Sequence, residues 1–175
     1  MRLIMEELEL KQEDRAPVKP ARAYAERLMK RTVDNEIPAV IAFELNDGRI
    51  ITGRTSDLMD ACSSAILNAI KALANISDDI LLLSPVILEP IKKLKSDGLH
   101  KRIPTLTANE ILIALSISAV TNPTAQLAYD KLSELKDVQA HSTVILNKDD
   151  DQILRNLGLD ITCDPVYPSE NLYYV

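Results

Sequence analysis

The chain has 175 residues, 46% of them hydrophobic and 26% charged, with a formal net charge of −6. That size and composition fit one globular domain able to bury a core without disulfides or metals, and one Phe, five Tyr and no Trp leave that core to Ile, Leu, Val and Ala. The acidic balance argues against a general nucleic-acid surface, which needs basic side chains to displace counterions, and no apolar run reaches the ~18 residues of a membrane span.

Residues 1–12 read as a helix, with Leu3, Ile4 and Leu8 near helical spacing and Glu6, Glu7 and Glu9 on the other side. Acids this early argue against a secretory signal, so the expected compartment is the cytoplasm. Pro17 breaks the helix at the residue before it. A second helix is predicted over 20–33, with Pro20 in its first turn. Residues 38–45 read as a strand, Asn46-Asp47-Gly48 as a tight turn that needs positive φ, and 49–52 as the returning strand.

Gly53 and Arg54 lead into Thr55-Ser56-Asp57, a predicted N-cap cluster. The helix after it carries Leu58, Ala61, Cys62, Ala65, Ile66, Ala69, Ile70 and Leu73 at helical spacing. Its small residues allow close approach to a sheet. Asp60, Ser64, Asn68 and Lys71 form its other face. Residues 80–83 are an apolar run with the length of a buried strand.

Ser84-Pro85 starts a helix to about Lys95, in which Pro90 predicts a kink or an early break. Residues 97–106 read as a polar loop holding His100, Lys101, Arg102 and Pro104. Thr107 to Glu110 is a capping box. The helix over 111–121 is apolar nearly all round, which predicts a central, buried element. Asn122-Pro123 stops it, and 124–136 reads as another helix. A strand over 138–146 follows, then a helix over 149–157 whose acidic start suits the helix dipole. Gly158 closes that helix, and 159–163 is the last core strand. Pro165 and Pro168 make the tail irregular up to a candidate edge strand at 172–174. The order implies an α/β domain over 35–175, a mixed sheet covered on both faces, preceded by a helical segment over 1–34.

Four features bear on chemistry. Arg54, Thr55, Ser56 and Asp57 put hydroxyls and a guanidinium beside a helix start, where a phosphate could be held; equally, Thr55 or Ser56 caps the helix and Arg54 is solvated. The glycines of a P-loop or a dinucleotide fingerprint are absent. Asn122 is a turn residue or a ligand contact. Ser116 and Ser118 fit bonding to the carbonyl a turn back, and Glu110 fits a capping role. His141 and Ser142 are neighbours on one strand and point to opposite faces, so a triad of Ser142, His141 and Asp164 is not expected, and His141 fits a structural role as well as a ligand contact.

Cys62 and Cys163 lie outside any C-x-x-C pair and read as small core residues in a reducing compartment. Two Cys and two His without ligand spacing give no metal site, and no cofactor motif is evident. The H-x-E and P-C-x-x-C patterns of zinc deaminases are absent.

Five stretches, by their order and spacing, resemble a bacterial family named only as domain of unknown function 1846. They are PAVIAFELNDGRIITGRTSDLMDACSSAILNAIKALANI (38–76), LLLSPVILEPIKKLK (81–95), ILIALSISAVTNPTAQLAYDKL (111–132), AHSTVIL (140–146) and GLDITCDPVYPSENLYY (158–174). The resemblance covers most of 14–175. It implies a C-terminal subdomain of a longer chain, with 1–34 similar to the end of a preceding helical part. It also implies a three-layer αβα sandwich of cytidine-deaminase-like topology.

Family members carry a Gly-rich, GSGK-like string in their N-terminal part, which implies nucleotide or phosphate binding; this sequence lacks it. Two functional expectations follow. In one, Arg54, Thr55, Ser56, Asp57, Asn122, His141 and Ser142 form one wall of a pocket for a nucleotide or phosphorylated small molecule, completed by an N-terminal half on a separate chain. In the other, the chain is a structural or oligomerisation module whose apolar helices 58–73 and 111–121 form a homo-oligomer interface. No complete catalytic motif is present, so the residues leave enzyme activity open.

Overall fold

In the computed structural model, which describes residues 11–31, 38–101 and 105–167, the sheet starts from the expected hairpin. Gly48 turns the chain at φ +84°, a conformation only glycine adopts without a steric penalty. The Asp47 carboxylate accepts the Arg49 N–H at 3.0 Å and its guanidinium at 2.8 Å. This aligns β1 (Val40–Glu44) and β2 (Ile50–Arg54) antiparallel, Val40 opposite Arg54 and Glu44 opposite Ile50. β3 (Gln139–Ser142) runs antiparallel to β1 on its other side, and β4 (Asp160–Cys163) parallel to β3. The result is a four-stranded mixed sheet in the order β2-β1-β3-β4.

The helices are α1 (Val18–Met29), α2 (Ala61–Leu73), α3 (Pro85–Lys93), α4 (Ala108–Ala119), α5 (Pro123–Tyr129) and α6 (Lys148–Asn156). Strand alternation divides the core. Val40 and Ala42 pack with Ala21 and Ala25 of α1. Ile41 and Phe43 join Ala65, Ile66 and Ile70 of α2 in the larger cluster, which also holds Ile111 and Leu115 of α4 and Leu154 of α6. The small residues of α2 serve the close approach expected of them: a Cβ on Gly53 of β2 would lie 2.2 Å from the Ala65 amide nitrogen. No helix among the described residues is long and apolar enough to cross a membrane.

Several sequence expectations are corrected. Residues 80–83 form no strand. Ile80 and Leu81 are exposed, and only Leu82 and Leu83 turn into the core; an apolar run without a sheet edge to pair with stays a loop. α2 starts at Ala61, with Asp60 and not Thr55 or Ser56 as its cap. The Ser56 hydroxyl accepts the N–H of Met59 at 3.2 Å, and Met59 then bridges to Leu106. α4 is not buried all round: Ile113, Ile117 and Val120 face outward.

Pro90 does not break α3, which instead ends in a π-turn over Leu94–Gly98. The helix predicted over 124–136 is α5 followed by a 3₁₀ turn, Asp130–Leu135. The strand predicted over 138–146 pairs only as β3. Cys62 is buried as expected, but Cys163 is exposed, and both are free thiols. The second helix runs as α1, and the capping box on α4 forms. Residues 1–10 of the helix expected over 1–12, the end of the 20–33 helix, Arg102 to Pro104 and the edge strand at 172–174 lie outside the described residues; of the rest of the first helix, Lys11 is extended and Gln12 opens a 3₁₀ turn, Gln12–Asp14.

Candidate functional site

The carboxyl ends of β2 and β3 point toward one region of the molecule. There the chain leaves β3 through Val144, Ile145 and Leu146, and leaves β2 at Thr55. A cavity of about 530 Å³ opens between them, closed by Asp60, Ala61 and Cys62 of α2, Thr107 before α4, and Asn147 and Asp150 of α6. Clefts outside the carboxyl ends of strands are where open α/β sheets bind ligands. The residues that cap three helices line it: Asp60 accepts the Ser63 N–H at 2.7 Å, Asn147 accepts the Asp150 N–H at 2.8 Å, and Thr107 forms the capping box with Glu110.

Asp60 and Asp150 line the cavity together, close enough for their charges to interact. Two carboxyls brought together resist ionising at the same time. Burial, and then the charge of Asp60, push Asp150 up to about 7. Asp150 is only 3% exposed. It is held by the Ala108 N–H at 3.3 Å and by the Asn147 side-chain amide. It therefore keeps its proton to a higher pH than an ordinary carboxylate does, as groups that take part in proton transfer do.

Cys62 lies beside this pair. Burial, reinforced by the charges of Asp150 and Asp60, holds its thiol well above the usual range, so it is present as the thiol and not as a nucleophilic thiolate. Lys95 enters from the π-turn. Its buried ammonium donates to the Thr105 carbonyl at 2.6 Å and to Glu110 at 2.8 Å. Lys95 and Thr107 also line an adjoining depression with Lys101, Asn109 and Asp149. Val144, Ile145, Leu146 and Ala61 give the cavity an apolar wall beside these polar groups, which lowers the local dielectric and strengthens polar contacts there. Among the described residues, no group of three or more His, Cys, Asp or Glu side chains is placed to hold a metal ion.

The residues singled out in the sequence occupy several places. Thr55 lines the cavity shared by Asp60 and Asp150. Arg54 and Ser56 line a separate cleft of about 300 Å³ with Asn68 and Lys71. Asp57 is exposed, and its carbonyl accepts from Lys92 at 2.6 Å. Asn122 caps α5, accepting the N–H groups of Thr124 and Ala125 at 3.0 and 3.3 Å. Ser142 is buried and donates to the Val144 carbonyl at 2.7 Å. His141 lies on the α1 face of the sheet, where it meets Asp164 and Thr162 and not Ser142.

Asp60, Asp150 and Lys95 were not singled out in the sequence. Asp60 stands on the polar side of an amphipathic pattern, and Asp150 is one of three consecutive acids that a helix dipole already explains. The available signal for Asp60 and Asp150 was their position at or within the first turn of a helix; Lys95, in the π-turn that ends α3, offered none.

A family model described as "Domain of unknown function DUF1846, C-terminal" matches residues 13–173. A UPF0371 protein of Clostridium tetani (strain Massachusetts / E88) is 59% identical over 173 residues, which is 99% of this chain and 34% of the relative. A UPF0371 protein of Clostridioides difficile (strain 630) is 59% identical over 174 residues, 99% of this chain and 35% of the relative. A UPF0371 protein of Clostridium botulinum (strain Eklund 17B / Type B) is 57% identical over 173 residues, again 99% and 34%. The chain thus spans about a third of the length of the curated relatives it matches.

Proposed function

This chain belongs to the DUF1846 family, matching its C-terminal domain, and from that premise we propose that it forms one wall of a small-molecule site in which Asp60 and Asp150 transfer a proton. The ligand in this reading is a nucleotide or a phosphorylated metabolite, and the N-terminal region of the longer family members completes the site. The observation that carries it is that the buried Asp150 and Asp60 line the same cavity of about 530 Å³, with Asp150 raised by its burial and by the charge of Asp60. Buried carboxyls whose ionisation is moved to neutral pH are characteristic of proton-transfer sites.

The phosphate would not sit on the carboxyl pair, whose charge repels it. Arg54, Ser56 and Lys101, on the flanking depressions, carry the matching charge and hydroxyl, and Thr55 lies between the two regions. The hydrogen bonds of Asn122, His141 and Ser142 suit support of the fold. The hairpin-helix-strand-helix-strand order and the helices on both sheet faces support a cytidine-deaminase-like, three-layer arrangement, although the zinc-binding residues of that group have no counterpart here.

The test is calorimetric titration of a panel of nucleotides and sugar phosphates into this chain and into a full-length relative, across pH 5.5 to 8.5. At least one compound should bind the longer protein with an affinity that changes near pH 7. Asp150→Asn, which keeps shape and burial, should remove that pH dependence. An unchanged pH profile in the variant would overturn the proton-transfer role, and no binding by the longer protein would overturn the ligand class.

A further inference from the structure

We propose that the outward face of α4 is the seat on which the N-terminal region of the longer family members docks. α4 is apolar nearly all round, yet only one side of it is packed. Ile111, Ala114, Leu115 and Ser118 are buried, whereas Ile113, Ile117 and Val120 are 52%, 66% and 81% exposed. Spacings of four and three place those three on one stripe. A helix that is hydrophobic on every side is normally covered on every side. No charged residue occurs between Glu110 and Asp130, so nothing along α4 guards the stripe against association. An unguarded apolar face marks an interaction site.

The occupant follows from size and length. The stripe runs from residue 113 to 120, which is about 10 Å of helix. That is small against the roughly 800 Å² per partner of a stable dimer, which disfavours a second copy. The curated relatives are about three times as long as the part that this chain matches. In them the docking partner belongs to the same polypeptide, and an intramolecular contact needs far less area because its effective concentration is high. The position is also suitable. α4 starts at the cap residue Thr107, which lines the cavity, so a region seated along α4 would lie beside the cavity mouth. The inference requires only that the face be covered, and it stands whether or not the cavity binds a phosphate compound.

Thiol labelling tests it. Ile117→Cys is placed in a Cys163→Ser background, since Cys62 is buried, and maleimide reacts with the chain alone and with the chain fused behind the N-terminal region of the Clostridium tetani relative. A second probe, Ser133→Cys, reports an exposed site away from the stripe. The expected result is labelling at least 10-fold slower at position 117 in the fusion, with position 133 unchanged. Equal rates at 117, or slowing at both positions, would overturn the proposal. Protection of 117 in the chain alone, together with sedimentation as a dimer, would overturn it in favour of a second copy.

Discussion

Arg22 of α1 grips Asp164, the residue after β4, through two hydrogen bonds of 2.6 and 3.1 Å. This pair joins α1 to the parallel end of the sheet. The same guanidinium reaches Glu13 at 2.7 Å. Burial alone would raise Asp164, but its bonds to Arg22 and the charges of His141 and Arg22 outweigh that and hold the carboxyl below its ordinary range. Asp164 is 13% exposed and Arg22 32%, so water screens the pair only in part. Arg22→Ala leaves a mostly buried carboxylate with fewer partners, and should cost about 2 kcal/mol. Urea unfolding at pH 7 measures it; a change within ~0.5 kcal/mol would show that α1 is held by its alanine packing alone.

His141 lies on the far side of the same carboxylate, fully buried, with Nε2 3.4 Å from Asp164. Its Nδ1 is 2.9 Å from the Thr162 hydroxyl, whereas Nε2, for all its closeness to Asp164, makes no well-formed hydrogen bond among the described residues. Burial lowers its pKa, and Asp164 only partly restores it. The unfolded chain therefore takes up this proton more readily than the folded one. The stability contributed is full above the unfolded value of roughly 6.5 and is lost as pH falls below it, with a slope of up to about 1.4 kcal/mol per pH unit. His141→Gln should flatten the fall in melting temperature between pH 7 and pH 5 relative to the parent. An unchanged slope would assign the acid sensitivity to other groups.

Asp150 has the opposite sign. Its folded pKa is raised from 3.8 to about 7, so the folded state holds a proton that the unfolded state releases. Its contribution is full below the unfolded value and is lost as pH rises toward 7. Above that, a buried charge beside Asp60 is a liability. Asp150→Asn should therefore stabilise the domain at pH 8 by about 1 kcal/mol, roughly 2–4 °C, and by less at pH 5.5. Melting curves at the two pH values decide it. A gain at pH 8 alongside lost ligand binding would be the trade between stability and function that active-site residues show.

The hairpin could be read from the sequence because Asn46-Asp47-Gly48 is a local instruction that no tertiary contact has to enforce. α2 and its small face could be read for the same reason, since helical spacing is a local property. The start of α2 could not. Ser56 offers its hydroxyl to the Met59 N–H, and Met59 bridges to Leu106, a partner no local pattern reveals. The loop at 80–83 and the exposed side of α4 show the same gap from the other direction: composition says that a residue is apolar, not that something stands ready to cover it. The carboxyl pair is the clearest case. Asp60 and Asp150 are each explained singly by helix capping and dipole. They meet because α2, α4 and α6 begin at the same place: the Asp60 N–H donates to the Leu106 carbonyl at 3.0 Å, and the Ala108 N–H rests on Asp150.

Gly53 tests how tightly that end of the domain is set. It sits on β2 opposite Ile41, on the face covered by α2, and its φ is not in the left-handed region. Backbone freedom is thus no reason for a glycine here. Space is: a Cβ would lie 2.2 Å from the Ala65 nitrogen, 2.5 Å from its Cα and 2.8 Å from the Ala61 carbonyl oxygen. All three are backbone atoms, so no side chain can rotate away, and α2 itself has to move. Gly53→Ala should cost about 3 kcal/mol, the upper end for overpacking. Because α2 begins at the cavity, the displacement should also pull Asp60 from Asp150. Moving the charge of Asp60 away would remove the second cause of the Asp150 shift after burial and lower its pKa from about 7, which carbonyl-carbon NMR titration of the aspartates would detect. A variant that is destabilised but keeps an aspartate titrating near 7 would show that the burial of Asp150, and not the position of Asp60 at the start of α2, sets its ionisation.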